Sequence, residues 1–392
     1  MKRIVLFAVI ICLLFTSCQQ KNTEPAAEQT ELMGIWISCY DHISASGKSV
    51  DEYKAETDAM FELIKSYGFN TAFVHLRAFS DAFYESEIFP YSAHIAGTEG
   101  AELEFDPFAV MLESAGKSGI SVHGWINPFR ISSNADAEKI STKNPAKKLI
   151  ETKSDEVCIL ENGIYYNPSC TENHGRIIDG VREIIRKYNI DGIHIDDYFY
   201  PSVSHEVDGR QYSEYTSHGG RLSLEEWRRT NINAFVSALY TAVKSENENL
   251  VFSISPSAKI EENISSHFAD CGQWLAEEGY ADLIIPQIYF GFEHSTADFA
   301  SLLSQWGNIE RNKNIRLACG IGAYKCGNID QYALAGKTEW QENKDILTRQ
   351  LSCIKNNPNY SGFVMFSYGD LTRPDCSEEM KNLKKYITGN RQ

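Results

Sequence analysis

The apolar spacing of this chain switches repeatedly between a period of two and a period of about 3.6, and that alternation constrains its fold more than any other feature. Strand-period runs occupy residues 34–39, 70–76, 120–126, 192–196, 250–255, 283–289, 315–321 and 362–367. Helical patterns follow each run. Tyr53, Met60, Phe61, Ile64 and Tyr67 mark one, stopped by Gly68. Asp106 before Pro107 opens another, with Phe108, Met111, Leu112 and Ala115 on its face. Ile177, Ile178, Val181, Ile184, Ile185 and Tyr188 mark a third, and Ser223-Leu224-Glu225-Glu226 reads as the capping box of a fourth. The fifth carries Phe268, Trp274 and Leu275, and the sixth Phe299, Leu302, Leu303 and Trp306. The seventh has Ile346, Leu347, Leu351 and Ile354, and the last Met380, Leu383 and Tyr386. Eight strands alternating with eight helices predict an α/β fold, a parallel (β/α)8 TIM barrel. A doubly wound open sheet is the competing layout, but no glycine-rich phosphate turn follows the first strand.

The N-terminus reads as an export leader. Lys2 and Arg3 precede an apolar stretch, 4–15, too short for an ordinary membrane-spanning helix. Phe15-Thr16-Ser17-Cys18 then looks like a bacterial lipobox, with Phe15 in place of the usual leucine; an ordinary secretory signal with a chance cysteine is the plainer alternative. The expected layout is a lipoprotein signal peptide at 1–17, a polar tether at 18–31 from lipidated Cys18, and one barrel domain at 32–388. That places the protein outside the cytoplasm, lipid-anchored to the bacterial cell envelope: at the outer membrane of a two-membrane host, since Gln19 is not an aspartate, or on the outer face of the plasma membrane otherwise.

The net charge is −16, and −18 without the leader's Lys2 and Arg3, which argues against nucleic acid or anionic lipid as a direct partner. Beyond Cys12 and Cys18 there are eight cysteines, at 39, 158, 170, 271, 319, 326, 353 and 376. None forms a C-x-x-C pair; several lie in apolar strands, where a buried thiol is the simplest reading, although disulfides remain open to an exported protein.

Polar and aromatic residues gather at the ends of the strands, the face on which barrel enzymes build their sites. The densest group is Asp191-Gly192-Ile193-His194-Ile195-Asp196-Asp197-Tyr198-Phe199-Tyr200-Pro201. His194 and Asp196 share a face of the strand and Asp197 begins the turn. Adjacent carboxylates can be driven to different pKa values, so that one acts as an acid and the other as an anion. Elsewhere stand Arg77 after the second strand, Trp125, Asn127 and Arg130 after the third, Gln287, Tyr289 and Glu293 after the sixth, and Tyr368 after the eighth. Aromatic faces interleaved with amides and charges suit sugar rings. Arg77 reads as either a barrel-mouth ion-pair member or a substrate clamp, and Glu293 as either a second carboxylate over the site or a solvated loop residue. Asn127 and Gln287 suit hydroxyl or amide recognition, and His194 suits orienting a carboxylate. Two long loops, about 130–166 and 198–221, overhang this face.

Neither H-E-x-x-H nor H-x-x-x-H occurs, and His194 with Asp196 has no third ligand evident in sequence, so no metal or other cofactor is expected. No G-x-S-x-G elbow is present for Ser-His-Asp chemistry.

The segments 70–77, 123–130, 191–201, 286–289, 339–340 and 362–368 together resemble glycosyl-hydrolase-like family 10, over roughly 33–387. One departure is Met33-Gly34-Ile35-Trp36, where many members begin with an arginine. The resemblance implies a (β/α)8 barrel, an exported bacterial protein, and hydrolysis of a glycosidic bond in an N-acetylhexosamine polymer, with peptide-free peptidoglycan strands foremost. By analogy with substrate-assisted hexosaminidase barrels, Asp196 orients the sugar's acetamido group and Asp197 is the general acid/base. A competing scheme makes Asp196 the nucleophile or base and Glu293 the acid. A non-catalytic glycan-binding lipoprotein and a polysaccharide deacetylase are the alternatives.

Overall fold

The computed structural model describes residues Glu31–Gly389; the leader, Cys18 and the tether as far as residue 30 lie outside them. In chain order the strands are β1 (Leu32–Ile37), β2 (Thr71–Arg77), β3 (Ser121–Ile126), β4 (Arg130–Ser132), β5 (Val157–Leu160), β6 (Gly163–Tyr166), β7 (Gly192–Ile195), β8 (Val251–Ile254), β9 (Leu283–Ile284), β10 (Arg316–Leu317), β11 (Cys319–Gly322) and β12 (Gly362–Phe366).

Nine of them form one all-parallel sheet in the order β10-β9-β8-β7-β3-β2-β1-β12-β11. β10 and β11 are two halves of one barrel strand that changes partner at Ala318. β10 pairs with β9 and β11 with β12, and a bridge from Gln287 to Gly320 completes the ring. The result is the expected eight-position barrel. β9 holds only two ladder residues, against the longer run expected, because Pro286 has no N–H to continue it.

The side-chain alternation divides the apolar residues into two cores. Leu32, Trp36, Phe73, Trp125, Leu283, Ile285, Ala318 and Val364 fill the barrel interior. The larger outer core lies between strands and helices, where Tyr53, Phe61 and Ile64 of helix Val50–Ser66 are buried. Gly34 makes room for the interior rings: a Cβ there would stand 2.9 Å from both Phe73 and Val364.

The helices follow their caps. Ser49 and Ser223 each form a full capping box, the second at the head of helix Leu224–Glu246. Asp106 caps helix Pro107–Ser118, which ends at Gly119 in the left-handed conformation. The expected fifth helix is instead two short ones, Ile260–Ser265 and Cys271–Ala276, with Phe268 between them at φ 53°. The Asn263 side chain bonds the backbone of Ser257 and Lys259 and so ties the first of these helices to the loop before it. The two loops also carry structure. β4, β6 and β5 form a small antiparallel sheet within 130–166, and helix Gly209–Ser217 lies within 198–221. Among the described residues no helix is long and apolar enough to cross a membrane.

Candidate active site

Counting every second residue inward along the barrel strands leads to one place. Trp36, Ser38, His75, Trp125, Asn127, Asp196, Ser255, Gln287 and Phe366 all line a cleft of about 230 Å³ at the C-terminal mouth. Asp197, Tyr40, Phe79, Arg130, Tyr198, Tyr289 and Tyr324 complete its walls. A second cavity of about 520 Å³ shares Asp197, Gln287, Tyr289 and Tyr324 with the first, and extends past Ser257, Lys259, Glu262, His294 and Tyr332. Asp197 therefore stands where two cavities meet.

The floor is rigid. His194 is fully buried beneath the cleft and uses both ring nitrogens. Its Nε2 accepts from the Trp36 indole at 3.1 Å, and its Nδ1 donates to Ser253 Oγ at 2.8 Å. Burial holds His194 well below the ordinary histidine range, so it is a neutral orienting ring with no nitrogen left for a ligand. His75 and Trp125 stack with centroids 3.7 Å apart and planes 8° apart. The Asn127 amide donates to Ala78 O at 3.1 Å and the Gln287 amide to Ser255 O at 2.9 Å, which fixes both over the mouth.

Asp196 is 3 % exposed, and its Oδ1 accepts from the Tyr198 backbone N–H at 3.4 Å. Burial pushes its carboxyl well above the usual aspartate range, and the neighbouring Asp197 charge adds to the rise. Burial also raises Asp197, while the nearby His267 and the Gln287 amide act in the opposite direction. Two raised, interacting carboxyl groups at a strand end hold a proton at a pH where an ordinary aspartate has lost it. Arg130 sits between the Phe79 ring (5.2 Å) and the Tyr198 ring (4.9 Å), a cation over two aromatic faces at the rim of the cleft. The loop after β7 is anchored from below, where Arg228 grips Asp208 at 2.8 and 2.5 Å and also donates to Val203 O and Ser204 O.

Of the residues expected at the site, Asp196, Asp197, Trp125, Asn127, Arg130, Tyr198, Gln287 and Tyr289 come together. Five do not. Arg77 is buried beside Phe89 and donates to Pro128 O, because the ladder irregularity between His75 and Arg77 turns it out of the barrel. His194 lies under the cleft rather than in it. Tyr200 packs against Arg228 and Phe268. The Glu293 side chain is exposed and lines neither cavity; its backbone N–H instead donates to Glu339 at 2.9 Å. Tyr368 is half-buried against the outer core. The expectation passed over Trp36, His75, Ser255 and Phe366, although the inward register of their strands marks them. Tyr40, Phe79 and Tyr324 sit on loops that no periodicity reaches.

A curated relative, glycosyl hydrolase YngK of Bacillus subtilis (strain 168), is 30% identical over 361 residues, covering 86% of this chain and 69% of its own. Glycosyl hydrolase DigH of Escherichia coli (strain K12) is 26% identical, covering 96% and 95% respectively. In fold, the chain resembles the PgaB (BpsB) glycoside hydrolase domain from Bordetella bronchiseptica, with a TM-score of 0.61 at 11% identity over 91% of this chain and 99% of that one. The catalytic domain of a β-amylase from Paenibacillus polymyxa gives a TM-score of 0.56 at 9% identity, over 92% and 98%. A family model matches residues 31–335, and the chain belongs to the family it describes, Glycosyl hydrolase-like 10.

Proposed function

We propose that this protein is a glycoside hydrolase of the bacterial envelope that cleaves an N-acetylhexosamine polymer, peptide-free peptidoglycan strands being the first candidate. The observation that carries the reading is the Asp196–Asp197 pair, both carboxyls raised, at the junction of two cavities walled by aromatic rings and amides. Family membership and the relatives named glycosyl hydrolase support the reaction class.

By analogy with hexosaminidase barrels that carry adjacent aspartates, the proposed reaction takes a substrate-assisted route. The acetamido N–H donates to Asp196, which stabilises that carboxylate and leaves the shared proton on Asp197. The acetamido oxygen attacks the anomeric carbon while Asp197 protonates the departing glycosidic oxygen. Water then opens the cyclic intermediate at the anomeric carbon and gives a proton back to Asp197. The route through Glu293 as acid loses its support, since that side chain lines neither cavity. The same reading places the mature protein on a membrane through a lipidated Cys18. Cys18→Ser should move it from the membrane fraction to the soluble fraction, and unchanged membrane association would refute the anchor.

The test of the activity is incubation with peptide-free peptidoglycan strands, with products followed by mass spectrometry. Short saccharides with wild type support the reading. Strands that stay intact but are retained by the protein would instead make it a glycan-binding protein, and strands neither cut nor bound would rule out this substrate.

A further inference from the structure

Two cysteines outside the catalytic cleft meet behind its wall. Cys326 follows the turn Ala323–Lys325 after β11, and Cys376 ends the turn Pro374–Cys376 that leads into helix Ser377–Gly389. Both are buried. The two backbones touch here, since a Cβ on Gly327 would lie 2.9 Å from Asp375 O. Cys376 Sγ is 3.5 Å from Cys326 O and 3.8 Å from Ala323 O. Arg373 binds both sides: Nη2 lies 2.6 Å from Cys376 Sγ and 2.5 Å from Cys326 O, and Nη1 donates to Tyr324 O at 2.9 Å.

We propose that Cys326 and Cys376 form a disulfide in an oxidising compartment, tying the groove wall that bears Tyr324 and Lys325 to the C-terminal helix. Cys376 Sγ stands against the Cys326 backbone, and the Cys326 thiol, ahead of the Arg373 charge, holds the Cys376 thiol below its ordinary range. Before that contact forms either sulfur can attack first; with Cys376 leading, the exchange is balanced at each step. Before the wall has seated, the Cys376 thiolate attacks a small-molecule disulfide such as oxidised glutathione, forming a mixed disulfide and expelling one glutathione thiolate. That thiolate takes the Cys326 proton, and the Cys326 sulfur then attacks Cys376 Sγ and expels the second glutathione thiolate, which picks up the proton Cys376 had released. Two protein thiols are oxidised and one glutathione disulfide is reduced. Tyr324 lines both cavities, so the bond would hold one aromatic wall of the groove in place.

The test equilibrates the purified full chain in a buffer of reduced and oxidised glutathione. The protein is then unfolded and alkylated without further reductant and digested for mass spectrometry. A linked peptide holding Cys326 and Cys376, lighter by two hydrogens than the pair of thiol peptides, is the expected result. Its reduction should lower Tm by several degrees, and a Cys326→Ser/Cys376→Ser variant should melt like the reduced wild type and ignore reductant. Both residues recovered as alkylated thiols, or either one linked to a different cysteine, would overturn the pairing.

Discussion

Asp196 enters the cleft because it continues the inward register of Gly192 and His194, and Asp197 stands at the groove junction because the strand has ended at Ile195 and the chain turns there. This much is legible in the sequence, since a period of two assigns faces without any tertiary information. The fate of Arg77 is not, because a slip in one ladder reverses the face it takes. The raised carboxyls give two predictions. A reaction that needs Asp197 protonated runs while the proton is held and is lost as pH rises through the raised pKa. The high-pH limb of kcat/KM should thus lie above the ordinary aspartate range near ~3.9, and Asp197→Asn should abolish it; a limb unchanged in the variant would assign it elsewhere. Asp196 also costs stability. Its folded form keeps a proton that the unfolded chain releases near ~3.9, so its contribution is greatest below that pH and is lost as pH rises through the folded value. Asp196→Asn should therefore be inactive and have a higher Tm than wild type, with the gap widening from acid to neutral pH. A gap that narrows would contradict the burial argument.

Among the elements, helices opened by a cap motif were readable to the residue, as Asp106 and Ser223 demonstrate. The small sheet in 130–166 was not, because strands of three and four residues are too short to display a period. The split of the seventh barrel strand at Ala318 depends on partners far away in sequence, which no local pattern encodes. The loop after β7 depends on Arg228 and Asp208, 1 % and 0 % exposed at their side chains. Arg228→Ala strands a buried carboxylate and should cost about 3–5 kcal/mol in chemical denaturation. It should also raise KM by loosening Tyr198. A loss under about 1 kcal/mol, the size of an exposed ion pair, would show that the pair does not hold the loop.

At the scale of the molecule, a strongly acidic barrel carries a groove in two parts, with aromatic rings along it: Tyr40 is 75 % exposed on the first cavity and Tyr332 85 % on the second. A polymer spanning both should depend on the shared Tyr324 more than a short saccharide does. Tyr324→Ala should raise KM for long chains by up to about tenfold, a loss of ~1.4 kcal/mol, and leave a disaccharide substrate nearly unaffected; equal effects on both would argue against an extended groove. The central claim is that Asp197 delivers the proton to the leaving oxygen, and it is tested most directly by the first-turnover rate of Asp197→Asn on two substrates. On the natural polymer, whose leaving group needs protonation, the rate should fall about 10²–10⁴-fold. On an aryl N-acetylhexosaminide whose leaving phenolate needs no proton, it should stay near wild type. Equal loss on both substrates, or no loss on the polymer, would contradict the assignment.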